Sequence, residues 1–133
     1  MAAVRKYEDL DAYQLSKQLR DTIFTMTEVG PTLKNLKFRD QIRRSSSSAP
    51  ANIAEGFGRF RPTEFAQFLR IARASLFETR NHIEDAVTKK YFSEEDASNL
   101  LCLQVRATKA ATGLLRYLES CKGKAPTGWN REP

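Results

Sequence analysis

The stretch Arg43-Arg44-Ser45-Ser46-Ser47-Ser48-Ala49-Pro50-Ala51-Asn52-Ile53-Ala54-Glu55-Gly56-Phe57-Gly58 decides how the chain is read. It sets two arginines beside a run of serines, places a proline among helix formers and ends on glycines around an aromatic. Phe38, Ile42, Ser45, Ala49 and Ile53 follow one another at spacings of four, three, four and four, which is one face of a helix. A proline inside a helix removes a backbone donor and crowds the carbonyl four residues back, here that of Ser46. The spacing nevertheless stays in phase from Ala49 to Ile53. The segment is therefore predicted as one helix kinked at Pro50, not as two helices and a loop. Serine hydroxyls nearby are expected to satisfy the backbone groups that the proline frees. Arg39, Arg43 and Ser47 step by four on a different face, where the two arginines are expected at the surface.

Working outward, Gly56 and Gly58 read as stop signals for this second helix, and Gly30-Pro31 as the end of the helix before it. The second helix is thus expected over about 33–55. Upstream, Ala12, Leu15, Leu19, Ile23 and Met26 form an amphipathic stripe, entered through an acidic turn at Tyr7 to Asp11. Downstream, Pro62 suits the first position of a third helix, whose stripe is Phe65, Leu69, Ala72, Leu76, Ile83 and Val87, with Phe68 and Phe77 off that line. Ser93 is an N-cap ahead of Glu94, Glu95 and Asp96, and the fourth helix is predicted to run to about Ser120. Its stripe is Ala97, Leu101, Val105, Thr108, Ala111, Leu115 and Leu118, widened by Leu100, Leu103, Ala107, Ala110 and Leu114. A helix apolar over so much of its circumference is expected to be buried on more than one side, with a second subunit supplying the extra cover. Four helices with short connections predict an all-α, up-down-up-down antiparallel four-helix bundle over 1–122, followed by a flexible Gly-, Pro- and charge-rich tail over 123–133. Within that tail Trp129 reads either as a docking residue or as idle.

The formal charge is +6, and its distribution says more than its total. Leu33 to Arg61 carries seven basic and two acidic residues, net +5, and Val105 to Pro133 carries six and two, net +4. The two remaining segments are net negative, −1 for Met1 to Thr32 and −2 for Pro62 to Gln104. In the third helix Arg70, Arg73 and Arg80 alternate with Glu78, Glu84 and Asp85, a solvated and self-paired face. Clustered positive charge suits a polyanion partner, RNA or DNA. The candidate contacts are Lys37, Arg39, Arg43, Arg44, Arg59 and Arg61. Phe57 and Phe60 flank Arg59 and either stack on unpaired bases or plug the bottom of the bundle, the second being favoured.

Catalytic chemistry has little to build on. His82 is the single histidine, and Cys102 and Cys121 stand apart with no zinc or redox spacing. There is no nucleophile elbow, and Gly56-x-Gly58 lacks the further glycines of a phosphate loop. No enzymatic activity, metal or cofactor is expected. Asn52 and Glu55, the one polar pair in an apolar context, are expected to satisfy backbone groups or bridge helices. The serine run is open to phosphorylation or to mere flexibility. No run approaches the ~20 apolar residues of a membrane span. With two isolated thiols and a charged start at Arg5-Lys6, the protein is expected to be cytoplasmic and without a signal peptide.

One motif narrows the reading. Ser48-Ala49-Pro50-Ala51-Asn52-Ile53-Ala54-Glu55-Gly56-Phe57-Gly58-Arg59, with Leu10, Tyr13, Gln41 to Arg44, Glu64-Phe65 and Phe68-Leu69, resembles the bacterial four helix bundle protein family. Members of that family are often encoded in intervening sequences of large-subunit ribosomal RNA genes. The likeness spans about Tyr7 to Lys122, with Pro50, Asn52, Glu55 and Gly56 as its structural motif. It departs at Arg61, where the family usually has a small capping residue, and at the serines, which replace a mixed apolar and small segment. The resemblance implies a non-enzymatic scaffold associated with ribosomal RNA and a ring-shaped homo-oligomer, in this family and its relatives a pentamer. It also implies kinship with accessory proteins of diversity-generating retroelements, which bind a reverse transcriptase and its RNA. The competing reading is a protein-binding adaptor ring without nucleic-acid contact.

Overall fold

The computed structural model describes residues 4–59, 61–126 and 129. Four helices carry the fold: α1 (Asp11–Met26), α2 (Leu36–Phe57), α3 (Pro62–Thr88) and α4 (Glu94–Ser120). Short 3-10 turns precede α1 at Tyr7–Asp9 and α2 at Pro31–Lys34. α1 and α3 each pack against both α2 and α4, so α1 lies diagonally across from α3, and α2 from α4.

The core shows the direction of each helix. At one end it joins Leu10 and Ala12, ahead of and within the start of α1, to Ile53 and Phe57 from the end of α2, Phe65 and Leu69 from the start of α3, and Leu114 and Leu118 from the end of α4. At the other end Ile23 meets Phe38, Ile83 and Ala97. Neighbours therefore run antiparallel, giving the expected up-down-up-down bundle.

Local chemistry sets the helix ends, and it shifts some expected boundaries. Asp9 accepts hydrogen bonds from the Arg5 and Lys6 amides at 3.0 and 3.2 Å, which fixes the turn before α1. Those two amides hold the Asp9 carboxyl below its ordinary pKa. α2 begins at Leu36, not Leu33. Gly30 adopts φ +90, Pro31 opens a separate 3-10 turn, and Asn35 then caps the helix by accepting from the Phe38 amide at 3.1 Å. Ser93 caps α4 through the Asp96 amide, as predicted.

α2 runs unbroken through Pro50. Serine hydroxyls were expected to serve the backbone groups freed by the proline, but they act elsewhere. Ser45 and Ser46 donate to the carbonyls three residues back, Ile42 at 3.3 Å and Arg43 at 3.2 Å. The serines build a polar seam to α3: Thr79 Oγ1 lies 3.0 Å from Ser45 Oγ, and Ser75 Oγ lies 2.8 Å from Ser48 Oγ. Asn52 joins this seam by donating to the Ser48 carbonyl and hydroxyl. Glu55, instead of bridging helices, pairs with Arg59 one turn on, at the surface.

The core faces are rotated slightly from the predicted stripes. In α1 Ser16 is buried while Leu15 and Met26 are half-buried. In α4 the fully covered line is Ala97, Leu100, Gln104, Ala107, Ala111, Leu114, Leu115 and Leu118, whereas Val105 is 37% exposed. A glutamine can occupy that line because its amide donates to the Leu76 carbonyl at 3.1 Å. Phe77 stands 53% exposed on α3. Phe57 plugs one end of the bundle, edge-on to Phe65 with centroids 6.0 Å apart. Phe60 lies outside the described residues.

Gly56 is not a stop signal. It sits inside α2, and Gly58 is the C-cap. A Cβ at Gly56 would fall 2.7 Å from both Phe65 Cδ1 and Phe68 Cβ, so the residue is glycine because α2 and α3 approach too closely for a side chain. Alanine gains about 1 kcal/mol in helix propensity. The clash meets the anchored Cβ of Phe68, and overpacking of this kind costs about 1–3 kcal/mol. Gly56→Ala should therefore lower the melting temperature, although it raises intrinsic helicity. A melting temperature at or above wild type would show that the helices separate freely there.

Candidate nucleic-acid interface

The six cations singled out in the sequence occupy three different environments. Lys37 and Arg44 are exposed on one outward face of α2, seven residues and so about 10 Å apart. Neither forms an ion pair among the described residues.

Arg39 and Arg43, expected at the surface, are half-buried and turned to the end of α1. Arg39 Nε donates to the Thr27 carbonyl at 2.8 Å, and Arg43 Nη2 donates to the Phe24 carbonyl at 3.0 Å. Arg43 Nε also donates to Thr27 Oγ1 at 2.8 Å. These are the carbonyls that a helix C-terminus leaves without internal donors, and they carry its partial negative charge. The Arg43 guanidinium lies 4.4 Å from the centroid of the Phe24 ring, which Arg20 approaches at 4.1 Å. Burial, and then Arg39 beside it, pulls the Arg43 pKa below its usual value, but an arginine stays charged at neutral pH. Nothing in one sequence announces this role, because the cap comes from the neighbouring helix.

Arg59 and Arg61 form the third group, in the α2–α3 connection. Arg59 bonds Glu55 at 2.8 Å and lies over the Phe68 ring, 5.0 Å from its centroid. Arg61 is exposed, and its carbonyl opens α3 by accepting from the Glu64 and Phe65 amides. From Arg44 to Arg59 the axial rise is about 22 Å. The structure thus does not bring all six into one patch.

A second set of cations was missed residue by residue, although the +4 count of the last segment pointed to it. Arg106, Lys109 and Arg116 are exposed on one outward face of α4, and Lys122 and Lys124 are exposed in the turn beyond the helix. None of the five forms an ion pair among the described residues, whereas Arg70, Arg80 and Lys89 on and just beyond α3 pair with Glu119, Glu84 and Asp85. Two of the three arginines of α3 are thus neutralised, while Arg73 reaches only the Thr112 hydroxyl at 3.5 Å.

The remaining inventory is brief. Cys102 and Cys121 are free thiols, and a helical rise of about 28 Å separates them. His82 stands edge-on to Phe38, with centroids 6.2 Å apart. Among the described residues no helix is long and apolar enough to cross a membrane.

Arg43→Ala should remove a charge-assisted cap from two α1 acceptors, leaving the Phe24 carbonyl with only the longer bond from Thr27 Oγ1 at 3.3 Å. A loss of about 1.5–3 kcal/mol is expected, read as a lower midpoint in denaturant. Arg44→Ala, on the open face, should stay within about 0.5 kcal/mol of wild type. Equal effects at the two positions would remove the distinction between capping and available arginines.

Comparison with known proteins agrees with this architecture. A solved structure of a protein of unknown function from the S23 ribosomal protein family, from Bacteroides thetaiotaomicron, superposes with a TM-score of 0.72 at 20% identity, covering 79% of this chain and 98% of the other. At that identity the likeness shows the fold alone. No curated protein matches the chain. The model of the family described as 23S rRNA-intervening sequence protein matches residues 8–112. With most of the bundle inside that match, the chain belongs to the 23S rRNA-intervening sequence protein family.

Proposed function

We propose that this protein is a non-enzymatic scaffold that binds RNA through its unneutralised cationic faces. The observation that carries the reading is the contrast between helices. Lys37 and Arg44 on α2 stand open with no carboxylate partner among the described residues, while Arg70, Arg80 and Lys89, on and just beyond α3, each have one. A helix surface selected only for solubility has no need to keep its positive charge in one strip. Open cations on a rigid helix act on phosphates, which position a nucleic acid without reading its sequence. Broad RNA or DNA binding with shallow sequence preference follows, in keeping with a family associated with ribosomal RNA genes.

The assembly belongs to the same proposal. Ile71 and Phe77 on α3 are 49% and 53% exposed, and Val29, Leu33 and Leu36 at the α1–α2 connection are exposed as well. Apolar side chains left bare on two sides of so small a bundle support a homo-oligomer, with a pentameric ring as the form that the family resemblance favours. A ring repeats each weak patch and adds affinity through multivalency. A reverse transcriptase is the candidate protein partner by the same resemblance.

The test uses Lys37→Ala with Arg44→Ala, since neither side chain holds the fold. Against a single-stranded RNA, affinity should fall with salt. The log–log slope should flatten by roughly 0.7 for each phosphate that the double variant no longer neutralises. Light scattering on each sample must show the same mass, several times the 15.1 kDa of one chain, because loss of a ring would mimic loss of a patch. Wild-type affinity in the double variant at matched salt would remove the α2 strip from the interface. Retention of a protein partner after nuclease treatment, without RNA binding, would put the adaptor reading in its place.

A further inference from the structure

We infer that Trp129 is a preformed stacking platform for an unpaired nucleobase, set at the lower end of a second polyanion track along α4. This deepens the RNA-binding reading and rests on it, and it adds a site at the end of the bundle away from Lys37.

The chain after α4 turns back on itself. Lys122 and Gly123 take successive positive φ values, 51 and 83, and Pro126 is buried. Trp129 then packs on the end of the core, its centroid 5.8 Å from Phe57, 6.2 Å from Phe65 and 6.3 Å from Tyr117. The interplanar angles are 43°, 56° and 36°. Three rings from three helices thus hold the indole in place. The residue nevertheless keeps partial exposure, while its Nε1 is buried and has no hydrogen-bond partner among the described residues. The polar edge of the indole therefore points inward. A tryptophan serving only as a core plug would be covered, and one serving as a polar anchor would have its N–H paired.

The surroundings select the occupant. Tyr117, which backs the indole, directly follows Arg116, and Lys122 and Lys124 lie in the turn that delivers Trp129. Farther up α4, Lys109 and Arg106 share the outward face of Arg116. A flat apolar ring at the end of a row of open cations is the arrangement that binds single strands. The cations follow the backbone, and the ring takes a base whose own face is apolar. An apolar peptide would gain nothing from the cations, and a duplex has no base face to offer the ring. Because α2 and α4 are diagonal, the α2 strip and this track face away from each other, so one chain can engage two segments of RNA.

Trp129 is the only tryptophan, so its fluorescence reports on the platform alone. The full chain is titrated with a single-stranded oligodeoxythymidylate, and binding is followed independently by anisotropy of a labelled strand. The indole emission should be quenched in step with binding. Trp129→Ala should weaken binding about tenfold, and Trp129→Phe, which keeps a stacking face, should stay within a few-fold of wild type. An abasic strand of the same length should bind wild type and Trp129→Ala alike. Binding without quenching, with Trp129→Ala equal to wild type, would overturn the platform and leave the RNA-binding reading standing. Equal weakening toward the abasic strand would reduce Trp129 to a structural plug. No binding of either strand at low salt would overturn both proposals.

Discussion

The bundle depends on how closely α2 and α3 approach at Gly56. With a would-be Cβ only 2.7 Å from two atoms of α3, the backbones can meet only where a side chain is absent. That contact lies just before the α2–α3 connection and so fixes the register of the whole pair. Once it is set, Ser48 falls opposite Ser75 and Ser45 opposite Thr79, which turns two of the four serines into a paired seam. It also brings Phe57 against Phe65 and makes the aromatic floor on which Trp129 rests. A polar seam is tolerable between helices only when its hydroxyls find partners, and they find them here because the register leaves no other choice.

The opposite corner of the bundle is held by charge. Arg39 and Arg43 reach from α2 to the last carbonyls of α1, where four acceptors lose their helical donors. This joins α1 to α2 at the end farthest from Gly56. The two helices on either side of α2 are thus secured at different levels and by different chemistry, close packing toward α3 and charge-assisted capping toward α1. Pro50 lies between the two levels, within an unbroken helix.

Much of the fold could be read from the chain because it rests on periodicity. Phe38, Ile42, Ser45, Ala49 and Ile53 were placed on one face by spacing alone, and all are buried. The misses share a cause. Gly56 looks the same in sequence whether it ends a helix or admits a neighbour, and only Phe65 and Phe68 decide which. The α2 start moved because Asn35 caps the helix through the Phe38 amide, while Gly30-Pro31 marked only the end of the helix before it. Arg39 and Arg43 follow the same helical spacing as exposed residues do, and their acceptors lie on another helix. The family motif was legible at Pro50 to Gly56, but the use of each residue within it depended on contacts that no single helix contains.

The sorting of arginines bears on what the charge can do. A count over Leu33 to Arg61 gives net +5, yet two of those cations are engaged with α1 and one with Glu55. Little of the excess on α2 remains open to a partner, and two phosphate contacts alone make a weak, easily screened attachment. Useful affinity at physiological salt then needs repetition, either from several copies of the chain or from a second strip on the same one. On the proposed RNA-binding reading, the open cations of α4 would supply that second strip, and the exposed Phe77 and Ile71 would be where copies meet. Multivalent binding grows steeply with the number of linked sites when their spacing is fixed. A rigid bundle with cations on two diagonal helices suits such a design, because each strip stays in place whether or not the other is occupied.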